Sequence, residues 1–313
     1  MKIAVVGLGA IGGVVAGSLV ALGRYDVVAC VRTPIKRLVI ERPNDTVEVP
    51  IRALTAPADA EYVDWVLLCT KAHQMPSAWL ARLCGPGTRV AVLQNGIGQA
   101  TRLAPHVGMA AIVPTVVYYN GEKLAPDRMR FRRAGQHELA VRNDADGRDF
   151  AGLLAGTPMR VLLSADFATL AWRKLLINAV ANPITALTLQ RQAVFRREDI
   201  KDLCLAVLRE AVEVGRADGA RLDDDEAARI MATLLTYPAD AGTSMYFDRL
   251  GGRALEVEAL TGAIVSRGKQ LGVATPLNGM LLSLLRAVSD GATGGGANEA
   301  CGVPVTHASF SSG

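Results

Sequence analysis

No two of the five cysteines (Cys30, Cys69, Cys84, Cys204, Cys301) form a C-x-x-C pair, and their number is odd. That pattern argues against a disulfide framework and against a cysteine-held zinc, and it suits a reducing, cytoplasmic setting. Histidine is scarce too: His73, His106, His137 and His307 are dispersed, and no H-E-x-x-H stretch occurs, so no metal is expected. The 34 basic and 30 acidic residues leave a formal net charge of +4 without a clustered basic stripe. Nucleic acid is therefore not an expected partner, whereas an anionic small molecule is compatible with mild basicity. No internal repeat is visible. The most apolar run, residues 3–23, follows Lys2 as a signal peptide or membrane anchor would, but it is punctuated by Gly7, Gly9 and Gly12. A strand, a tight turn and a buried helix account for it without a membrane.

What the chain does have is apolar content: half of its 313 residues are hydrophobic and a fifth are charged, enough for a sizeable core in about two domains. In the first half, IAVV (3–6), DVVACV (26–31), WVLLC (65–69) and RVAVLQ (89–94) read as strands buried on both faces, alternating with helical stretches. This predicts a Rossmann-like, doubly wound α/β domain over residues 1–164, with ligands at the carboxyl ends of its strands. AAIVPTVVYY (110–119), MRFRR (129–133) and HELAV (137–141) continue the β character less regularly. From Ala165 the texture becomes helical, at 166–190, 198–218, 224–235, 253–271 and 277–289, which predicts an all-α domain over 165–290. Residues 291–313 are glycine- and serine-rich without periodicity and read as a flexible tail.

Gly7-Leu8-Gly9-Ala10-Ile11-Gly12 is a G-x-G-x-x-G turn between a strand and a helix. The first glycine allows the tight turn, the second the approach of a pyrophosphate, the third close helix packing, and the helix N-terminus offers free N–H groups to the anion. Dinucleotide binding is the expectation; a glycine-rich turn without a ligand is the bland alternative. At the end of the second strand stands Arg32 where an NAD site would carry a carboxylate, which favours the 2′-phosphate of NADP; an exposed loop arginine is the alternative. Two further strand ends lead into Thr70-Lys71 and Asn95-Gly96. Lys71 can meet phosphate or substrate charge, and Asn95 can orient a carboxamide or carbonyl. A solvated lysine and an Asn-Gly turn are equally compatible with those residues.

WRKLLINAVANPITAL, from residue 172, places Lys174, Asn178 and Asn182 four residues apart on an otherwise apolar helix. Each four-residue step drifts only about 40° around the axis, so the three share one edge. A lysine there must snorkel, find a partner or line a cavity. Asn182-Pro183 can also be read as an N-cap with proline at the first helical position, or as a kink. Further on, Ser244 falls in a polar loop, and Glu256 opens a helix after Gly251 and Gly252, where it either balances Lys174 or complements the helix dipole.

Taken in order, GLGAIG, VR, TKAHQ, QNGIG, WRKLLINAVANPITAL, TSMYFDRLGGRALEVEAL and LGVATPLN resemble the ketopantoate reductases (2-dehydropantoate 2-reductases), NADPH-dependent enzymes of pantothenate synthesis, over roughly residues 1–290. The resemblance implies a proton donor at Lys174, substrate contacts at Asn178, Asn182 and Ser244, and cofactor contacts at Lys71, Asn95 and Glu256, with Asn95 also near substrate. It departs from the family's pattern at Gln192, near where an asparagine is usual, and at Tyr118 and Tyr119, where relatives tend to show a stretch containing threonine and histidine. The expected activity is hydride transfer to a small 2-keto acid. A reductase of a different 2-keto acid and a non-catalytic NADP(H)-binding sensor are the competing readings. A homodimer is compatible with the amphipathic helices, though they serve intramolecular packing equally well.

Overall fold

A computed structural model describes residues 1–294, and its first elements explain the apolar opening of the chain. Ile3, Ala4, Val5 and Val6 are fully buried in strand β1 (Lys2–Val6), and the rest of the run forms helix α1 (Ala10–Leu22). Strand β2 (Asp26–Cys30) lies parallel to β1. Next come β3 (Arg37–Glu41), β4 (Thr46–Pro50), β5 (Arg52–Leu54), β6 (Trp65–Leu68), α2 (Ser77–Leu83), β7 (Arg89–Val92), α3 (Gln99–Val107) and β8 (Ala111–Pro114). Six of these strands form a parallel sheet in the order β5-β2-β1-β6-β7-β8. The chain winds outward from β1 and then returns to build on its other side, so the order reverses between β1 and β6. Ligands bind above such a reversal, at the carboxyl ends of the strands.

The apolar stretch 110–119 is divided. After β8 it continues as β9 (Val116–Val117), which leaves the main sheet and pairs antiparallel with β12 (Leu139–Arg142). Between them, β10 (Asn120–Ala125) and β11 (Arg128–Arg132) form a hairpin, and after them come α4 (Ala145–Leu154) and β13 (Val161–Ser164). The β3–β4 hairpin, which the sequence did not announce, joins β10 and β11 in a second sheet ordered β10-β11-β3-β4. Leu38, Ile40, Met129 and Phe131 from this sheet share a core with Val14, Val15 and Leu19 of α1. Helix α1 is therefore sandwiched between two sheets, and little freedom is left to the turn that precedes it.

The helical half consists of α5 (Phe167–Thr188), α6 (Glu198–Ala217), α7 (Glu226–Leu235), α8 (Ser244–Leu250), α9 (Thr261–Leu271) and α10 (Pro276–Gly294) around one core that includes Trp172, Leu176, Phe195, Leu208 and Leu285. Four expectations are corrected here. Residues 253–260 are irregular rather than helical, so Glu256 lies ahead of α9 and not within a helix. Ser244 is the first residue of α8, capped by the Thr243 hydroxyl, rather than part of a loop. Pro183 sits inside a continuous α5, so Asn182 caps no helix start; the missing N–H leaves the Ala179 carbonyl without its helical donor. The tail was expected to begin at Gly291, but α10 runs on to Gly294; residues 295–313 lie outside the described residues. Among the described residues, no helix is long and apolar enough to cross a membrane.

Candidate active site

Helix α5 starts at Asp166, whose carboxylate accepts the Thr169 N–H, and it buries Trp172, Leu175, Leu176, Val180 and Ile184. The neighbours Arg173 and Lys174 project in different directions, as the helical rotation requires. Arg173 makes a bidentate pair with the buried Glu226 of α7, two contacts of 3.0 Å. Lys174 instead turns into a cleft of about 980 Å³ that is also lined by Asn178 and Asn182. Among the described residues, no carboxylate pairs with Lys174. Its one described partner is the Tyr118 ring, whose centroid is 5.7 Å from Nζ. Burial pulls its pKa below the ordinary lysine value. The side chain of Asn182 is nearly buried, yet no described hydrogen bond engages it. Ser244 borders the same cleft from α8. Its helix is fastened to α5 by the hydroxyls of Thr243 and Thr185, which lie 2.7 Å apart.

The glycine turn lines the same cleft. Gly7, Leu8, Gly9, Ala10 and Ile11 line it, and the Gly7 N–H is held by the Cys30 carbonyl at 3.1 Å, which ties the turn to the end of β2. Gly12 lies behind the lining, where an added Cβ would stand 2.0 Å from the Gly7 carbonyl oxygen and 2.9 Å from the Cys69 Cβ; no other residue fits. A Cβ at Gly9 would meet nothing within 4 Å, so that side of the turn is open to an incoming group. Arg32 is exposed on the rim of the cleft just beyond β2, and no described carboxylate engages it.

Glu256 is not the partner of Lys174. One of its oxygens accepts the Ala72 N–H at 3.0 Å, and the other takes the Lys71 ammonium at 3.1 Å. Lys71 also reaches Asp248 of α8 at 2.8 Å. Burial lowers the Lys71 pKa, but the carboxylates of Glu256 and Asp248 outweigh it and the net shift is upward. The Asn95 amide contacts Glu256 at 3.4 Å. Asn95 is brought there by the turn at Gly96, whose φ of 95° places it in the left-handed region and whose missing side chain leaves room for the Ala259 carbonyl. The loops after β6 and β7 are thus joined to the segment ahead of α9.

Lys71→Met strips the buried Glu256 of its cation while Asp248 keeps Arg253. Lys71 is about a third exposed, so solvent moderates the cost to about 1–2 kcal/mol. The melting temperature is expected to fall by a few degrees at pH 7, and thermal denaturation of the variant beside the wild type checks this.

Two family models match the chain: ketopantoate reductase PanE/ApbA over residues 3–144, and its C-terminal counterpart over residues 166–289. The chain belongs to the ketopantoate reductase family. It is 39% identical to the 2-dehydropantoate 2-reductase of Caulobacter vibrioides over 293 residues, covering 92% of this chain and 99% of that one. To the enzyme of the same name from Mycobacterium tuberculosis it is 40% identical, with 92% and 98% coverage. A solved structure of a dimeric ketopantoate reductase from Staphylococcus aureus superposes with a TM-score of 0.82 at 28% identity, over 93% of this chain and 100% of that one.

Membership in the ketopantoate reductase family makes this chain an oxidoreductase, and with the Rossmann-like domain it implies a nicotinamide cofactor. Lys174, Asn178, Asn182, Ser244, Asn95, Lys71, Glu256, Arg32 and the glycine turn border the same cleft, with Gly12 as backing. Two residues escaped the sequence reading, Asp248 and Lys123. Asp248 stands within TSMYFDRLGG, but nothing in that stretch signals a partner at Lys71, 177 residues away. Lys123 of β10 donates to the Leu8 carbonyl at 3.3 Å and so hangs over the glycine turn, a placement that depends on the unanticipated second sheet. Gln192, where the chain departs from the family's pattern, also lines the cleft, and its buried oxygen lacks a hydrogen-bond partner among the described residues. Again among the described residues, no group of three or more potential ligands could hold a metal ion.

Proposed function

We propose that this protein reduces a small 2-keto acid, ketopantoate foremost, using NADPH. The observation that carries the proposal is the ammonium of Lys174, which has no carboxylate partner among the described residues and faces the same cleft that the glycine turn lines. The dinucleotide fits the residues present: the open side of Gly9 accommodates the pyrophosphate, the N-terminus of α1 faces it, and Lys123 and Arg32 add positive charge on the rim. Lys71, Asn95 and Glu256 form one connected wall of the cleft and would hold the ribose and carboxamide side of the cofactor. When bound, the nicotinamide supplies a hydride for the substrate's carbonyl carbon.

The chain's own contribution is placement and proton supply. Lys174 Nζ gives its proton to the oxygen that gains charge as the carbonyl is reduced, and it stabilises that charge beforehand. Asn178 and Asn182, one helical turn apart, offer amide donors and acceptors to the substrate carboxylate and hydroxyl, and Ser244 adds a hydroxyl from the facing helix. Arg32 takes the 2′-phosphate through charge-assisted bonds. The named dimer of the Staphylococcus aureus relative supports a homodimer here.

A spectrophotometric screen of NADPH oxidation against 2-keto acids tests this reading. Ketopantoate should exceed 2-ketoisovalerate, which lacks the hydroxyl, because a site built to pair that hydroxyl penalises its loss. Equal use of both would reassign the substrate, and inactivity towards every 2-keto acid despite NADPH binding would point to the sensor. For the cofactor, Arg32→Asp is expected to shift the NADPH-to-NADH ratio of kcat/KM towards NADH by about 10-fold or more, the loss of a charge-assisted contact plus a new repulsion. An unchanged ratio would remove Arg32 from the 2′-phosphate.

A further inference from the structure

Lys174 is a cation turned into a partly desolvated cleft, yet the carboxylate that the sequence offered it, Glu256, is committed to Lys71. What stands over its ammonium is an aromatic face, the Tyr118 ring. We infer that this ring positions Lys174, acting as its electrostatic partner where a carboxylate would otherwise be needed. The inference rests on the reading of Lys174 as the proton donor and extends it to a residue of the other lobe.

The backbone explains how the ring comes to be there. Tyr118 and Tyr119 follow β9, and the N–H groups of both point to the Glu138 carbonyl, at 2.9 and 3.4 Å. The chain bends at Tyr119, so that both amides share one acceptor and the two rings part. Tyr119 turns inward: it is buried, packs edge-on against Phe131, and donates its hydroxyl to the Ile11 carbonyl at 2.8 Å. Tyr118 lines the cleft instead, where its ring meets Lys174 of α5. The distance of 5.7 Å lies within the range in which the negative face of a ring attracts an ammonium. Burial pushes the Tyr118 phenol up to about 12, against a smaller opposing pull from Arg173, so the ring stays neutral throughout the working range. A neutral ring attracts the cation without competing for its proton, whereas a paired carboxylate would hold that proton back from substrate.

The other charged groups near Lys174 are already engaged or distant in role. On its own helix Arg173 is taken by Glu226 of α7. Asp218, at the end of α6, accepts from the Trp172 indole and from Arg267 of α9. Lys71, Glu256 and Asp248 satisfy one another across the cleft, and Arg32 and Lys123 border its phosphate end. Tyr237, which burial also keeps neutral, completes the wall after α7.

The test compares wild type with Tyr118→Phe, Tyr118→Leu, and phenylalanine carrying increasing numbers of ring fluorines at 118, which weakens the ring's negative face at nearly constant shape. Acetylation of Lys174 as a function of pH, quantified by mass spectrometry, reports its pKa without requiring turnover. Tyr118→Phe should match wild type. Tyr118→Leu should lower the Lys174 pKa by about 0.5 to 1.5 units and cut kcat/KM about 3- to 30-fold, with the fluorinated series graded between them. The sign is informative because the smaller leucine admits water, which alone would raise the pKa. An unchanged or raised pKa in Tyr118→Leu, a fluorinated series without gradation, or a Tyr118→Phe that behaves like Tyr118→Leu would overturn the inference. If Tyr118→Leu does not fold, the fluorinated series decides. The expected acetylation profiles in a protein that reduces no 2-keto acid would sustain the ring's role and sink the proposed reaction instead.

Discussion

Replacing Lys174 by alanine is expected to lower kcat/KM for the keto acid by about 10²- to 10⁴-fold while the Kd for NADPH stays within about twofold, the signature of a lost general acid. The two effects separate because Lys174 projects from α5 of the helical half, whereas the glycine turn belongs to the other domain, between β1 and α1. The pH profile sharpens the test. Burial holds the Lys174 pKa below that of an ordinary lysine, so donation is complete below that lowered value and is lost as the pH rises through it. The alkaline limb of kcat/KM should therefore begin earlier than for a solvated lysine and be absent from Lys174→Ala. Steady-state rates across pH for both proteins give the answer. Wild-type turnover by the alanine variant at saturating substrate would remove Lys174 from the chemistry.

A second pair of variants is expected to part company within a single turn. In Gly12→Ala the new methyl group would stand 2.0 Å from a backbone oxygen and 2.9 Å from the Cys69 Cβ, and neither can move aside as a flexible side-chain tip could. Because α1 is held between two sheets, the strain passes into the core, with a cost of about 1–3 kcal/mol or more. Gly12→Ala should lose both thermal stability and NADPH affinity. Gly9→Ala introduces a methyl into open space, at a φ of −76° that alanine adopts freely, so its melting temperature should not change. Its methyl would nevertheless occupy the side from which the pyrophosphate approaches, and NADPH affinity should fall by about 10-fold or more. Calorimetric titration with NADPH alongside thermal denaturation distinguishes the two. Full NADPH affinity in Gly9→Ala would mean that the pyrophosphate does not rest on this turn.

These contrasts also show which parts of the molecule were legible from the residues. Strands β1, β2, β6 and β7 could be read because each is a continuous apolar run covered on both faces, and α5 because its period is long and its polar positions repeat every fourth residue. Apart from β11, which falls within MRFRR, the second sheet was not legible. Strands β4 and β10 are largely exposed, and the three buried residues of β3 make too brief an apolar run to announce a strand. Nor was the surrounding of Glu256. Seven-residue α8 and the irregular segment after it are too brief for periodicity, and their glycines suggested a helix boundary in the wrong place. The pairing of Lys71 with Glu256 spans 185 residues of chain, and only tertiary folding decides that this carboxylate serves Lys71 rather than Lys174.

The turn at Gly96 bears on more than the orientation of Asn95. A methyl group there would intrude to 2.1 Å from the Ala259 oxygen, so the two halves of the molecule are spaced by the thickness of a glycine. That absent carbon acts as a gauge: it fixes how near the carboxamide of residue 95 can come to the helical half. A bulkier residue at 96 would work as a shim between the loop after β7 and the segment ahead of α9, prising apart walls that only a hydrogen now separates.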